Sequence, residues 1–299
     1  MWLSSPRTDC QPRRKVSFLM ESSMRLIVFS FFCSALLWSQ GLPQRIVSQT
    51  VGTDELLVDL CEPHRIAALS FLSRNPAYSD VVLAAERFPQ VQDGSAEQIL
   101  KYKPDLVLFT NYSRPELVEQ IKRAGIPVLV FDRFNTLEDV YGNIRKLGKA
   151  LGRAQAAESL IRQCEDRVSV LQKRLQGVIP RRVIAPSSYH YLAGLETTFQ
   201  DLCDHAGAIN VAGEAGLRGH SPTPTEALMR WSVDYLVLSD TGARDKLTTL
   251  RKHPSFGMLP ATQMGRVVWI PEALLSSVTH RRIRGYEMMA QQLYPELFR

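Results

Sequence analysis

The triplet Tyr189-His190-Tyr191 sets three groups side by side that each support two kinds of chemistry. Aromatic faces stack on flat rings, and an imidazole nitrogen or a phenol oxygen can ligate a metal. The same three residues also suit a half-buried strand end with ordinary aromatic packing. Arg114 and Arg133 offer forked donors to carboxylate or phosphate groups, a geometry that equally well serves a solvated loop charge. Six histidines stand at 64, 190, 205, 220, 253 and 280 with no His-rich loop. A receptor for free zinc or manganese, one alternative reading, would need several of them to converge on one ion. A two-lobed enzyme such as a glycosyltransferase is the other alternative. Against it, the chain has no GxGxxG after a strand, no P-loop, no HExxH and no GxSxG. No enzymatic activity is expected.

Such side chains need a scaffold, and short β-branched runs alternating with helical patterns predict parallel α/β layers. Strands are expected at 45–49, 65–69, 105–110, 127–132, 181–185, 235–239 and 266–270. DLVLF and YLVLS are continuously apolar, which suits strands covered on both faces. Between the two sets runs a helical stretch from Thr136 to Gln176, broken near Gly152. Its second part repeats apolar residues at Ala157, Ile161, Cys164, Val168, Leu171 and Leu175, with Glu158 and Arg162 placed as an i,i+4 pair on the exposed side. From Ala154 onward that helix spans on the order of 35 Å, enough to join two lobes rigidly. The expected fold class is therefore α/β, with two Rossmann-like lobes of mainly parallel sheet joined by one long helix and a ligand cleft between them. The expected boundaries are a leader at 1–41, an N-terminal lobe at 42–152, the connecting helix at 153–177 and a C-terminal lobe at 178–299.

Ligands of open α/β sheets collect beyond the carboxyl ends of the strands. In the first lobe that rule nominates Thr50, Thr53, Tyr78, Tyr112, Arg114 and Arg133, with Asn111 beside them. In the second it nominates Tyr189, His190, Tyr191, His220 and Ser276, with Arg218, Ser277 and His280 nearby.

From Met24 the chain reads as a secretory leader: Arg25, an apolar run from Leu26 to Leu37, then Ser39, Gln40 and Gly41 as a cleavage zone. The run is too short to anchor in a bilayer. Cys33 follows Phe31 and Phe32, not the small residues a lipoprotein signal needs, so a free periplasmic protein is expected. Removing the leader lowers the formal charge from +6 to about +3, spread along the chain without a basic block; nucleic-acid binding is not expected. Cys61, Cys164 and Cys203 then remain, with no CxxC and no zinc-finger spacing.

One phrase occurs twice. SAEQILKYKPDLV (95–107) and PTEALMRWSVDYL (224–236) align without a gap, placing Glu97 on Glu226 and Asp105 on Asp234. With QRIVSQTVGTDELLVDL, IKRAGIPVLVFD, HAGAINVAGEAGL and GRVVWIPEALLSSVTHRR, the chain from about Leu42 to Arg299 resembles the helical-backbone class of periplasmic substrate-binding proteins. These serve ABC importers of vitamin B12, ferric siderophores and haem. The resemblance implies that Glu97 and Glu226 dock on a membrane permease dimer, one lobe per subunit. It also implies a monomer with no cofactor of its own, whose cargo is a cobalt- or iron-containing chelate such as cobalamin, another corrinoid or a ferric siderophore. Each Glu also sits where a helix's first turn favours negative charge.

Overall fold

The computed structural model describes residues 41–187, 190–241 and 243–299, with the side chains of Ala243 and Arg244 excepted. All but the last residue of the expected leader, and Tyr189 of the triplet, lie outside the described residues. Among those described, no helix is long and apolar enough to cross a membrane.

The first sheet takes β1 (Ile46–Ser48), β2 (Ile66–Ser70), β3 (Gln90–Val91), β4 (Leu106–Thr110) and β5 (Val128–Phe131). Helices α1 (Val51–Leu60), α2 (Val82–Ala85), α3 (Ala96–Leu100) and α4 (Pro115–Arg123) connect them. All pairings are parallel, in the order β3-β2-β1-β4-β5. Two long helices follow, α5 (Leu137–Leu151) and α6 (Ala154–Arg174). Gly152 separates them at φ 71°, a left-handed cap that suits glycine.

The second sheet holds β6 (Arg181–Ile184), then β8 (Ala208–Asn210) after the antiparallel partner strand β7 (Tyr191–Ala193) and helix α7 (Thr198–Ala206). The chain continues through α8 (Val211–Glu214), β9 (His220–Pro222), α9 (Thr225–Leu228), β10 (Tyr235–Ser239), α10 (Ala243–Lys252) and α11 (Pro260–Gln263). It closes with β11 (Val267–Ile270), α12 (Glu272–Leu275) and α13 (Arg282–Leu293). The order is β11-β10-β6-β8, again parallel, and β7 pairs with β9 as a separate antiparallel flap.

The repeated phrase is reproduced in three dimensions. Asp105 accepts from the backbone N–H of Arg45 at 2.9 Å and returns its own N–H to the Arg45 carbonyl. Asp234 does the same to Arg182, at 2.8 Å each way. Arg45 then caps the carbonyls of Tyr102 and Lys103, and Arg182 that of Ser232. Each lobe thus sets the register of its central strand with the same Arg–Asp clamp, so the aspartates of the phrase have a structural task. The glutamates do not share it.

The apolar stripe of α6 is buried as expected, but the Glu158–Arg162 pair does not form. Glu158 instead meets Arg145 of α5 at 2.9 Å, because α5 packs alongside α6 and offers a guanidinium. One core cluster runs from Ile46 and Leu108 through Ile144, Leu147, Ile161 and Leu171 to Val183, Tyr286 and Met289. Apolar packing is thus continuous from one sheet to the other, with no flexible linker between them. Cys61, Cys164 and Cys203 are buried free thiols within it.

Candidate functional site

In each sheet the strand order reverses at one place: between β1 and β4, and between β6 and β10. Crevices open outside the carboxyl ends of strands at such switch points. Thr50 follows β1, Tyr112 follows β4 and the segment to Tyr191 follows β6, so the nominated residues fall at the right edges.

Their side chains play different parts. Thr50 caps α1, and Thr53 completes a reciprocal capping box with it. Thr53 is 1% exposed and also bonds Ser48 at 2.7 Å, so its hydroxyl serves the helix start. Tyr112 leaves much of its ring exposed, with Phe134 at 5.9 Å. Loss of water around its hydroxyl raises its pKa, against hydrogen bonds with Thr110 and Thr50. Tyr78 is exposed. Arg114 reaches the Gly94 carbonyl, Arg133 pairs with Asp139 at 3.0 Å, and Ser276 donates to Glu272 at 2.6 Å. Asn111 donates to the Asp132 carbonyl and Arg218 pairs with Glu196.

The flap separates its residues by face. Tyr191 lies opposite Pro222 and Ala193 opposite His220, while Leu192 opposite Ser221 points the other way. Leu192 is fully buried in the second lobe; of the opposite set Ala193 is buried as well, whereas Tyr191, His220 and Pro222 are exposed. Tyr191 and His220 are exposed there, and neither the phenol nor the imidazole has a partner among the described residues. His190, by contrast, is engaged with His253, 2.6 Å away. No three His, Cys, Asp or Glu side chains among the described residues cluster as a metal cage.

The lobes meet along a charged seam that the sequence reading did not nominate as a unit. Glu55, 2% exposed, accepts from Thr279 at 2.6 Å and from the Asp80 N–H at 3.0 Å. Arg281 spans Asp59 at 2.8 Å and Asp80 at 3.3 Å; Arg284 joins Asp80, and His280 meets Asp59 at 3.0 Å. A groove of about 450 Å³ follows this seam, lined among others by Asp80, Leu83, Pro271, Leu274, Arg281 and Arg284. The dense basic run THRRIR was the available signal, but the seam carboxylates that Arg281 meets, Asp59 and Asp80, lie more than 200 positions away in the chain.

Charges inside the seam are strongly shaped by burial. Burial pushes Asp54 up to about 7 despite hydrogen bonds from Ser48 and Ser70, and Glu55 is raised for the same reason. Burial works on Asp59 in that direction too, but the hydrogen bond from His280 and the charge of Arg281 outweigh it and hold Asp59 low. Arg282, 2% exposed, binds Asp201 at 3.0 Å and the carbonyls of Phe134 and Ser277 at 2.6 and 2.9 Å, tying the end of the first sheet to α7.

Known proteins share this architecture. An uncharacterized ABC transporter substrate-binding lipoprotein of Bacillus subtilis, YvrC, is 23% identical over 86% of this chain and 82% of its own length. A vitamin B12-binding protein of Pectobacterium atrosepticum is 27% identical over 49% of this chain, which spans 53% of that protein. The apo periplasmic heme-binding protein RhuT of Roseiflexus sp. RS-1 superposes with a TM-score of 0.74 at 23% identity, covering 85% of this chain and 99% of that one. The family model for periplasmic binding proteins matches residues 46–274, and so the chain belongs to the periplasmic binding protein family, as its resemblance to substrate-binding proteins of ABC importers implies.

Proposed function

We propose that the protein captures a metal chelate between its lobes, outside the cytoplasmic membrane, and hands it to the permease of an ABC importer. A cobalt corrinoid such as cobalamin, or an iron chelate of the siderophore or haem kind, fits best. The observation that carries this is the outward face of the flap. Tyr191 and His220, both able to lie against a planar ring or to bind its metal, have no task within the fold. The B12- and heme-binding relatives favour the same cargo class, and the leader at 1–41 supports export to the periplasm.

Titration of the purified protein with cyanocobalamin, haem and a ferric hydroxamate, followed by calorimetry and absorbance, tests the reading. We expect sub-micromolar affinity for one of the three, lost at least in part in the Tyr191→Ala/His220→Ala double variant. Silence towards all three, with binding of zinc or manganese alone, would replace the chelate by a free ion.

A further inference from the structure

The second lobe reaches across to hold one loop of the first. α13 opens with three guanidiniums, Arg281 at its cap and Arg282 and Arg284 in its first turn, and with no acidic residue there. Cations at a helix start oppose its dipole, so the acids that offset them come from elsewhere in the chain. α1 supplies two carboxylates to the seam, Glu55 and Asp59, four residues apart and therefore on one face of that helix. Asp59 takes Arg281 Nη2 between its two oxygens, at 2.9 and 2.8 Å. Asp80 supplies the third from outside any helix or strand: Arg281 reaches it at 3.3 Å, and Arg284 joins it.

Asp80 lies near the end of a loop with few other polar holds. After β2 and a short turn ending at Arg74, residues 75–81 form no helix or strand. The N–H groups of Tyr78 and Ser79 both bond the Asn75 carbonyl at 3.0 Å, and that of Val81 bonds the Ser79 hydroxyl at 3.2 Å, so these bonds stay inside the loop. Outside it, the Asp80 N–H reaches Glu55 at 3.0 Å, and the same carboxylate accepts from the Thr279 hydroxyl at 2.6 Å. A closed ring results. It runs from the Asp80 backbone to Glu55, on to Thr279, two residues along to Arg281, and back to the Asp80 carboxylate.

We propose that Arg281 and Arg284 are positioning residues for the cargo site: from the second lobe they fix the 75–81 loop, and with it Tyr78, beyond the carboxyl edge of the first sheet. Tyr78 is two residues from Asp80 and 54% exposed, and its hydroxyl has no hydrogen bond among the described residues. Because the hold crosses between lobes, a wider lobe spacing would draw both guanidiniums off Asp80 and loosen the loop. What Tyr78 contacts rests on the chelate reading. The hold on the loop does not, and it is measured without any ligand.

Amide exchange of the unliganded protein at pH 7.5 tests the hold. In Arg281→Gln/Arg284→Gln, protection of the Ser79 and Asp80 amides should fall about tenfold or more, while amides of β1 and β6 keep theirs. Arg284→Gln alone spares the fold, since Arg284 is half exposed and Arg281 stays on Asp59; a fall of about threefold is expected there. Arg284→Lys should recover most of that fall, because an ammonium still meets Asp80 as a point charge. Wild-type protection in both Gln variants, or a Lys variant no better than Gln, would overturn the hold.

A binding cycle tests whether the arginines act through Tyr78. Affinity for cyanocobalamin, haem or the ferric hydroxamate, whichever binds, should drop in Arg284→Gln and should drop no further when Tyr78→Ala is already present. An equal drop in both backgrounds would mean that Arg284 acts on the cargo itself, and would overturn the positioning role. Binding of none of the three would overturn the part given to Tyr78, whereas only the exchange data can overturn the hold.

Discussion

At the scale of single residues, Asp54 is where burial and charge conflict most directly. It is fully buried in the first turn of α1, accepting from the Ser70 N–H at 3.0 Å and from the Ser70 hydroxyl. Its pKa of about 7 against 3.8 means that the folded chain keeps a proton which the unfolded chain loses. Between those two values stability falls as pH rises, by up to about 4 kcal/mol, and above them the loss is complete. Glu55 is shifted in the same direction and adds to the slope. Asp54→Asn should therefore be more stable than wild type at pH 8 and close to it at pH 4.5, read from denaturant midpoints at the two pH values. Equal destabilisation at both would mean that the carboxylate's hydrogen bonds outweigh its desolvation. None of this was legible in the sequence, where Asp54 is one polar position in a helix and its partner Ser70 lies on another strand. Thr50 and Thr53 were nominated as ligand contacts, whereas the pair also spells a helix cap, which is how the structure uses it.

At the scale of elements, the start of α1 is pressed against the segment that leads into α13. A Cβ on Gly52 would stand 2.5 Å from Val278 Cγ2 and 3.4 Å from the Tyr112 hydroxyl. Only a residue without a side chain allows the two lobes to approach this closely. Gly52→Ala should cost about 1–3 kcal/mol through overpacking, and Val278→Ala in the same chain should recover most of it. A thermal-melt double-mutant cycle reads the coupling, and simple additivity would show that the strain lies elsewhere. The seven expected strands match β1, β2, β4, β5, β6, β10 and β11, and the break at Gly152 lies between α5 and α6. The strands β3, β7, β8 and β9 were not legible, because runs of two or three residues carry little periodicity; β1 is as short at three residues, but its adjacent β-branched Ile46 and Val47 mark it. The flap belongs to this group. Its residues were named individually, but the sheet faces that set Tyr191 and His220 outward and Leu192 inward depend on a pairing across a gap of nearly thirty positions.

At the scale of the whole molecule, the repeated phrase divides its acids between two tasks. Asp105 and Asp234 are consumed in the strand clamps. Glu97 and Glu226 occupy the first turns of α3 and α9, both exposed, and neither carboxylate has an ion pair or hydrogen bond among the described residues. A helix start alone accounts for a small stabilisation at each position, but not for two unpaired carboxylates on matching elements of two lobes. Because the core runs unbroken through α5 and α6, their relative placement is fixed. A pair of fixed charges is suited to orienting the protein on a two-fold partner, and charge complementarity accelerates such an encounter. We therefore propose that reversing both, Glu97→Arg with Glu226→Arg, abolishes uptake through the cognate permease and leaves ligand affinity unchanged. Each single reversal should leave partial uptake, with a dependence on ionic strength weaker than that of wild type. Unchanged uptake in the double variant would sink the docking assignment while leaving the cargo reading intact. Loss of ligand affinity together with uptake would instead place the two glutamates within the ligand site, in conflict with their position on the surface helices.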